Sequence, residues 1–371
     1  MVATAQRFSE LNPSIDVHWE KRSLQEFADY PIRRLAESFD CLIIDHPFVG
    51  LAAADPVVLP LDDYVSNDFL QEHAQFSVGK SHESYQYGGR QWALAIDAAA
   101  PVSCWRADLL ERHHLSLPRT WEQLVAIAKS GKVVFPCAAV DCLMHFFMLC
   151  SSLGETPGSQ PWRLVTEDVG IRALELLTQL LSYCTSDVFD WNPIRTYEVM
   201  TTCDNWVYCP FGFGYSNYSR RSYARAQLEF GELVQLSEGK ESSTTLGGAG
   251  LAISAQCPHR EAAVDYACFV ASAECQRTIY AYSGGQPAHR SAWTDSLLND
   301  HCRNFFVRTL ATMDRAHIRP RHNGYISFQE NAGVLIHACL RNNEDLGELL
   351  TSLQRLYEQS LCVENQKMAR N

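Results

Sequence analysis

Residues Tyr87 to Glu111 constrain the fold of this 371-residue chain more than any other stretch. Gly88-Gly89 signals a turn. Gln91 to Ile96 is short, largely apolar and bounded by that turn, as a strand is. Asp97 interrupts it, Ala98 to Ala100 are small, and Pro101 disfavours helix at the residue before it. A second apolar piece, Val102 to Trp105, follows, and a helix opens near Arg106. Two strand-like pieces joined end to end by small residues and one carboxylate allow two readings. One is a crossover from one sheet to another, with Asp97 at the mouth of a cleft. The other is a single bent strand with a solvated Asp97.

The length suffices for two domains. Apolar content of 46% and charged content of 20% suit an ordinary globular protein. A net charge of −12 argues against a nucleic-acid surface or an anionic-membrane surface, since both need clustered Lys and Arg. Pairs such as Arg33-Arg34 and Arg220-Arg221 read as solvated faces. No apolar run approaches the roughly 20 residues of a membrane span, and the first residues lack the apolar core of a secretion signal. The 14 cysteines are scattered, with no Cys-x-x-Cys, and most sit in apolar runs. There a free Cys behaves as a small hydrophobe; this usage suits a reducing compartment. No metal site and no cofactor is expected.

Val2 to Leu11 is an amphipathic helix ended by Asn12-Pro13. Ile15, Val17 and Trp19 alternate with Asp16 and His18, predicting a half-buried strand. Ser23 to Ser38 reads as helix broken near Pro31. Asp40 to Asp45 predicts a buried strand too apolar for an edge. This order predicts a parallel sheet with covering helices, whose ligands sit beyond the carboxyl ends of strands. Asp45, His46 and Phe48 therefore enter the candidate site; the plainer reading is that Asp45 caps a turn before Pro47. Asp62 and Asp63 read as capping carboxylates.

Further on, Thr120 is an N-cap with Gln123 at the capping-box position. Val133 to Ala139 predicts a strand and Cys142 to Leu153 an apolar helix, with His145 a hydrogen-bonded core histidine. Asp168 to Ser182 and Thr196 to Thr202 predict helices. Trp206 to Cys209 predicts a strand, and the glycine-spaced, aromatic loop after it carries Tyr215 and Asn217. Aromatic faces stack on sugars and flat heterocycles while Ser and Asn supply hydrogen bonds; mere packing is the alternative. It is no phosphate loop, since Gly-Lys-Ser/Thr is absent. Leu246 to Ser254 returns to strand, Ala262 to Ala271 and Glu274 to Ala281 are helical, and the chain from Thr294 on is helical with a break at Ile318 to Ile326.

Five pieces in this order resemble the extracytoplasmic solute-binding proteins of ABC importers, the sugar-binding group related to maltose-binding protein. They are Arg7 to Val17, Pro60 to Tyr64, Trp92 to Asp97 running on to Leu110, Pro118 to Leu124, and Leu246 to Ser254 followed by Glu261 to Val270 and Ser283 to Ala288. Arg319-Pro320-Arg321 with Tyr325 fits as well. Each motif alone is weak; their order and spacing are specific. The resemblance implies an α/β, type II periplasmic-binding-protein fold: two discontinuous domains, residues 1–98 plus 247–290 and 99–246 plus 291–371, with a hinge and a central cleft. It implies ligand contacts at Asp45, His46, Trp92, Asp97, Tyr215, Asn217, Gly247 and Gly248, with Tyr325 and Gln329 as weaker candidates. Members usually begin with a strand before the first helix. Here the chain starts in the helix, so an incomplete N-terminus, with a lost signal peptide, is the expectation.

Three functions follow. The first is a non-catalytic monomer that closes on a small polar ligand, a sugar by family resemblance, and docks on an ABC permease in the periplasm. Trp92 or Tyr215 would stack on the ligand, and Asp45, Asp97 and Asn217 would take its hydroxyls. Asp45 and Asp97 disfavour a strongly anionic ligand unless Arg321 or His46 faces it. The second is an enzyme similar to thiaminase I, with Cys104 or Cys209 as nucleophile and Asp97 or Asp45 as base. The third, favoured by the cysteines and the missing signal, is a cytosolic sensor on the same fold.

Overall fold

The computed structural model describes residues 1–21, 32–55, 57–160, 162–237 and 239–368, of which 363–368 by their backbone alone. By its contacts the chain divides into two units, Met1–Ala98 with Gly247–Leu298 and Ala99–Leu246 with Asn299–Asn371. The last division falls after Leu298, where the sequence reading placed it after residue 290. Six strands build the main sheets: β1 (Cys41–Ile44), β2 (Leu94–Ala99), β3 (Pro101–Trp105), β4 (Tyr208–Phe213), β5 (Glu229–Gly231) and β6 (Gly247–Ile253). One sheet has the order β1-β6-β2 and the other β4-β3-β5. The two pieces around Asp97 are thus β2 and β3, in different sheets; the single bent strand is ruled out.

In the first unit the sheet face is covered by helices Val2–Leu11 and Arg260–Ala271. Phe8, Leu94, Ile96, Leu251, Ile253 and Tyr266 are core residues there. Phe8 meets Tyr266 edge-on at 5.2 Å between ring centroids. The Tyr266 hydroxyl also accepts the indole N–H of Trp19 at 2.8 Å.

Two expectations fail in this unit. β1 runs antiparallel to β6, Cys41 opposite Ile253 and Ile44 opposite Gly250, not parallel to a neighbour. It is also half-buried by alternation and lies at one end of its sheet, so its apolar run did not mean a central strand. Ile15 to Trp19 is not a strand. The alternation survives in burial, with Asp16 and His18 exposed and Ile15, Val17 and Trp19 half-buried, but no ladder partner is found among the described residues. An open cavity of about 760 Å³ is lined by this segment, by β1 and by Tyr266. Periodicity reports which face is covered; a strand also needs a neighbour to share its backbone hydrogen bonds. The expected helix over Ser23–Ser38 is seen as Ile32–Ser38; its earlier part lies outside the described residues.

In the second unit the helix Ala139–Leu153 is buried almost all round, packed against helices Glu167–Leu181 and Tyr325–Asn342. Val133 to Ala139 forms no strand: Val133 makes one isolated bridge to Tyr208, and the helix already starts at Ala139. β4 runs on to Phe213 because β3 continues beside it, Val102 opposite Gly212 and Pro101 opposite Phe213. The expected loop therefore shortens to Gly214 onward. Thr120 caps Trp121–Ala128 as expected, accepting from Gln123 N; the Gln123 amide oxygen takes Arg119 N at 2.8 Å.

Candidate ligand-binding site

In the first unit Asp97 leaves β2 half-buried, bound to a turn of the same unit. One carboxylate oxygen accepts the Tyr280 hydroxyl at 3.0 Å and Gln286 N at 3.1 Å, and Asp97 forms a bridge with Pro287. Loss of hydration pushes its pKa up to about 6, against the downward pull of those two hydrogen bonds. Gly248, at φ +119°, lies so close to β2 that a Cβ there would stand 2.2 Å from the Asp97 carbonyl oxygen. Gly247 opens β6 beside it and is buried. Asp97, Gly247 and Gly248 are thus brought together, by backbone packing.

Because both donors to Asp97 are enclosed, Asp97→Ala is expected to cost about 2–4 kcal/mol of stability, and Asp97→Asn under about 1.5, in urea unfolding at pH 7. Equal losses in the two variants would mean that charge, not the acceptor oxygen, matters.

Asp45 does cap the short 3-10 turn His46–Phe48, accepting His46 N at 2.8 Å. The imidazole of His46 is buried and meets Tyr85 edge-on, ring centroids 6.3 Å apart. Trp92 is 7% exposed and its indole N–H donates to the Tyr87 carbonyl at 3.0 Å, which ties it to the Gly88-Gly89 hairpin.

In the second unit the turn Ser216–Ser219 follows β4, with Tyr215 at its N-cap. Ser216, Tyr218 and Ser219 are buried, while Tyr215 and Asn217 are half-exposed between them. Tyr218 anchors the turn through Ile194 O at 3.3 Å and Ser219 through Leu228 O at 2.9 Å. The weaker candidates do less. Tyr325 is fully buried against Phe328 and His322, and Gln329 accepts from Arg319 at 2.9 Å.

Cys104 and Cys209 face each other across β3 and β4 and are both fully buried. Burial, then the neighbouring Cys209, pushes the Cys104 thiol well above its usual range. A reactive thiolate needs exposure and a positive surrounding, so the thiaminase-like arrangement is not built here. Among the described residues no three His, Cys, Asp or Glu side chains form a metal-holding group, and no helix is long and apolar enough to cross a membrane.

The sequence reading missed the buried Asp141; His145 is the core histidine expected, but its Nδ1 has no hydrogen-bond partner among the described residues. Both lie on the helix Ala139–Leu153. Burial pushes the Asp141 carboxyl up to about 8 and the His145 imidazole down to about 3. The visible signal was a lone acid at the head of an otherwise apolar helix.

A family model described as bacterial extracellular solute-binding protein matches residues 35–300, and the chain belongs to that family. Solved structures share its fold. A maltose-bound MalE3 of T. maritima is 20% identical, with 96% of this chain and 94% of that one covered and a TM-score of 0.83. A solute-binding protein of Agrobacterium radiobacter K84 in complex with ribitol is 17% identical, over 96% and 94%, with a TM-score of 0.82. Another, from Thermotoga lettingae TMO with α-D-tagatose, is 15% identical, over 97% and 95%, with a TM-score of 0.82. The fold is thus that of the maltose-binding type, as the motif order implied, and the family is one of solute-binding proteins.

Proposed function

We propose that this protein captures a small neutral carbohydrate or polyol and delivers it to an ABC permease on the outer side of the cytoplasmic membrane, in the periplasm or at the cell surface. Asp45, His46, Trp92, Asp97, Gly247 and Gly248 of the first unit, and Tyr215 and Asn217 of the second, are the candidate ligand-binding residues. The observation that carries this reading is the Tyr215–Asn217 turn. It holds an aromatic ring and an amide half-exposed on a buried anchor, the pairing that grips a sugar's apolar face and its hydroxyls. The relatives holding maltose, ribitol and α-D-tagatose support the same ligand class. Fully buried Cys104 and Cys209 disfavour a thiol enzyme on this fold.

Thermal melting with maltose, ribitol and D-tagatose tests it. A ligand at 100 times its Kd adds about 2.7 kcal/mol to the folded state, a rise in Tm of roughly 3–4 °C for a chain of this size. No shift with any of these, nor with a wider sugar and polyol panel, would remove the carbohydrate assignment.

A further inference from the structure

The helix Ala139–Leu153 carries two polar side chains inside an apolar unit. Asp141, in its first turn, is 3% exposed, and His145, one turn further, is 1% exposed. Asp141 Oδ2 and His145 Nδ1 are both buried without a hydrogen-bond partner among the described residues. Residues four apart share a helix face, so the two unmade hydrogen bonds sit side by side. Buried polar groups are nearly always paired, and an exception in a native fold calls for a reason.

Their surroundings connect them to the turn already described. The His145 ring lies 4.6 Å from Phe211 of β4 and 5.7 Å from Phe135. Burial, then the nearby Cys104, Cys209, Tyr215 and Asp141, holds the Tyr197 phenol well above its usual range. Tyr197 is therefore a common neighbour of Asp141 and Tyr215, its ring 6.3 Å from that of Tyr215. Its own hydroxyl is committed to the Phe213 carbonyl at 2.9 Å. With the carboxyl pushed up to about 8 and the imidazole down to about 3, both groups are uncharged at neutral pH.

We propose that Asp141 and His145 are ligand-binding residues of the second unit, taking the hydroxyl groups of a neutral polyhydroxylated ligand beside Tyr215. A protonated carboxyl both donates and accepts, as a neutral imidazole does, and a sugar hydroxyl offers the complement of each. An anionic ligand would find no positive charge there. This rests on the carbohydrate reading above and adds the residues that read the hydroxyls.

A residue kept for a ligand weakens the free protein, whereas a structural residue strengthens it. The experiment compares Asp141→Leu and Asp141→Asn with the wild type, by thermal melting without ligand and by titration calorimetry with maltose, ribitol and D-tagatose. The expected result is a free Asp141→Leu protein that melts higher than wild type yet binds the recognised sugar at least tenfold more weakly, with Asp141→Asn intermediate. A lower melting temperature for free Asp141→Leu would make the carboxyl structural and overturn the proposal. So would wild-type affinity in both variants, and that result would leave the carbohydrate function standing. A wild-type protein that binds none of these sugars, nor any of the wider sugar and polyol panel, removes the carbohydrate function, and this assignment with it.

Discussion

Stability is expected to peak between about pH 6.5 and 7 and to fall on both sides, by about 1.4 kcal/mol per pH unit for each net proton. Three buried histidines carry the largest part of the acid limb, and His289, also lowered by burial, adds to it. Burial lowers His73 and His82 to about 4 and His145 to about 3. Below the ordinary histidine value of 6.5 the unfolded chain takes up three protons that the folded chain refuses, so stability is lost as pH falls. Two carboxyls that have lost hydration act the other way. Asp97, raised to about 6, and Asp141, raised to about 8, hold protons that the unfolded chain has released above 3.8.

Between about pH 4 and pH 6 the balance is therefore one proton in favour of the unfolded chain, and stability climbs with pH. Above about pH 7 the histidines are neutral in both states and Asp97 is ionised in both. Asp141 still differs, and its contribution to stability declines towards pH 8.

The first two histidines make the acid limb structural. His73 Nε2 is 2.9 Å from the Ala95 carbonyl, which can only accept, so Nε2 carries the proton. His73 Nδ1 must then accept from His82 Nδ1 at 2.8 Å, and His82 Nε2 accepts from the Gln86 amide at 3.2 Å. A further proton on His73 would set two N–H groups against each other. Urea unfolding at about pH 4.5, 6.7 and 8 checks this profile; a curve that is flat, or highest at pH 8, would contradict it.

Gly248→Val is expected to cost about 4 kcal/mol or more, a large part of the 5–15 kcal/mol that holds a typical domain together. The φ of +119° suits no residue with a Cβ, and that atom would stand 2.2 Å from a backbone oxygen that cannot rotate away. Gly88→Ala makes the control. At Gly88, φ +57°, a Cβ would meet no atom within 4 Å, so only backbone strain of about 1 kcal/mol is expected. Urea denaturation of both variants separates the cases, and similar losses would mean that the approach to Asp97 is not what demands glycine at 248.

Much of this fold was legible in the sequence where local chemistry decides. Asn12-Pro13 ends a helix, Thr120 caps one, and small residues around Asp97 mark the passage between sheets. The missed parts depend on partners far along the chain. Ile15 to Trp19 has a strand's alternation and no strand beside it, and Cys41 to Ile44 gave no sign that its neighbour would be Gly250 to Ile253, running the opposite way. For the site, the carboxylate between two apolar pieces pointed to Asp97 and the family resemblance to Gly248, and the structure packs the two together. Asp141 stayed hidden because a buried acid without a partner differs from a solvated one only in its surroundings, and sequence spacing does not report those.

The central strand of the first sheet, β6, enters more than two hundred residues after β1. A ribosome making this chain in order would release the outer strands long before the one that joins them. The entire second sheet would also be synthesised in the interval, so the later half-domain has all three strands of that sheet available first. Such long-range closure slows folding. The amino-terminal segment must meanwhile wait with apolar edges open, the period in which a holding chaperone would matter most.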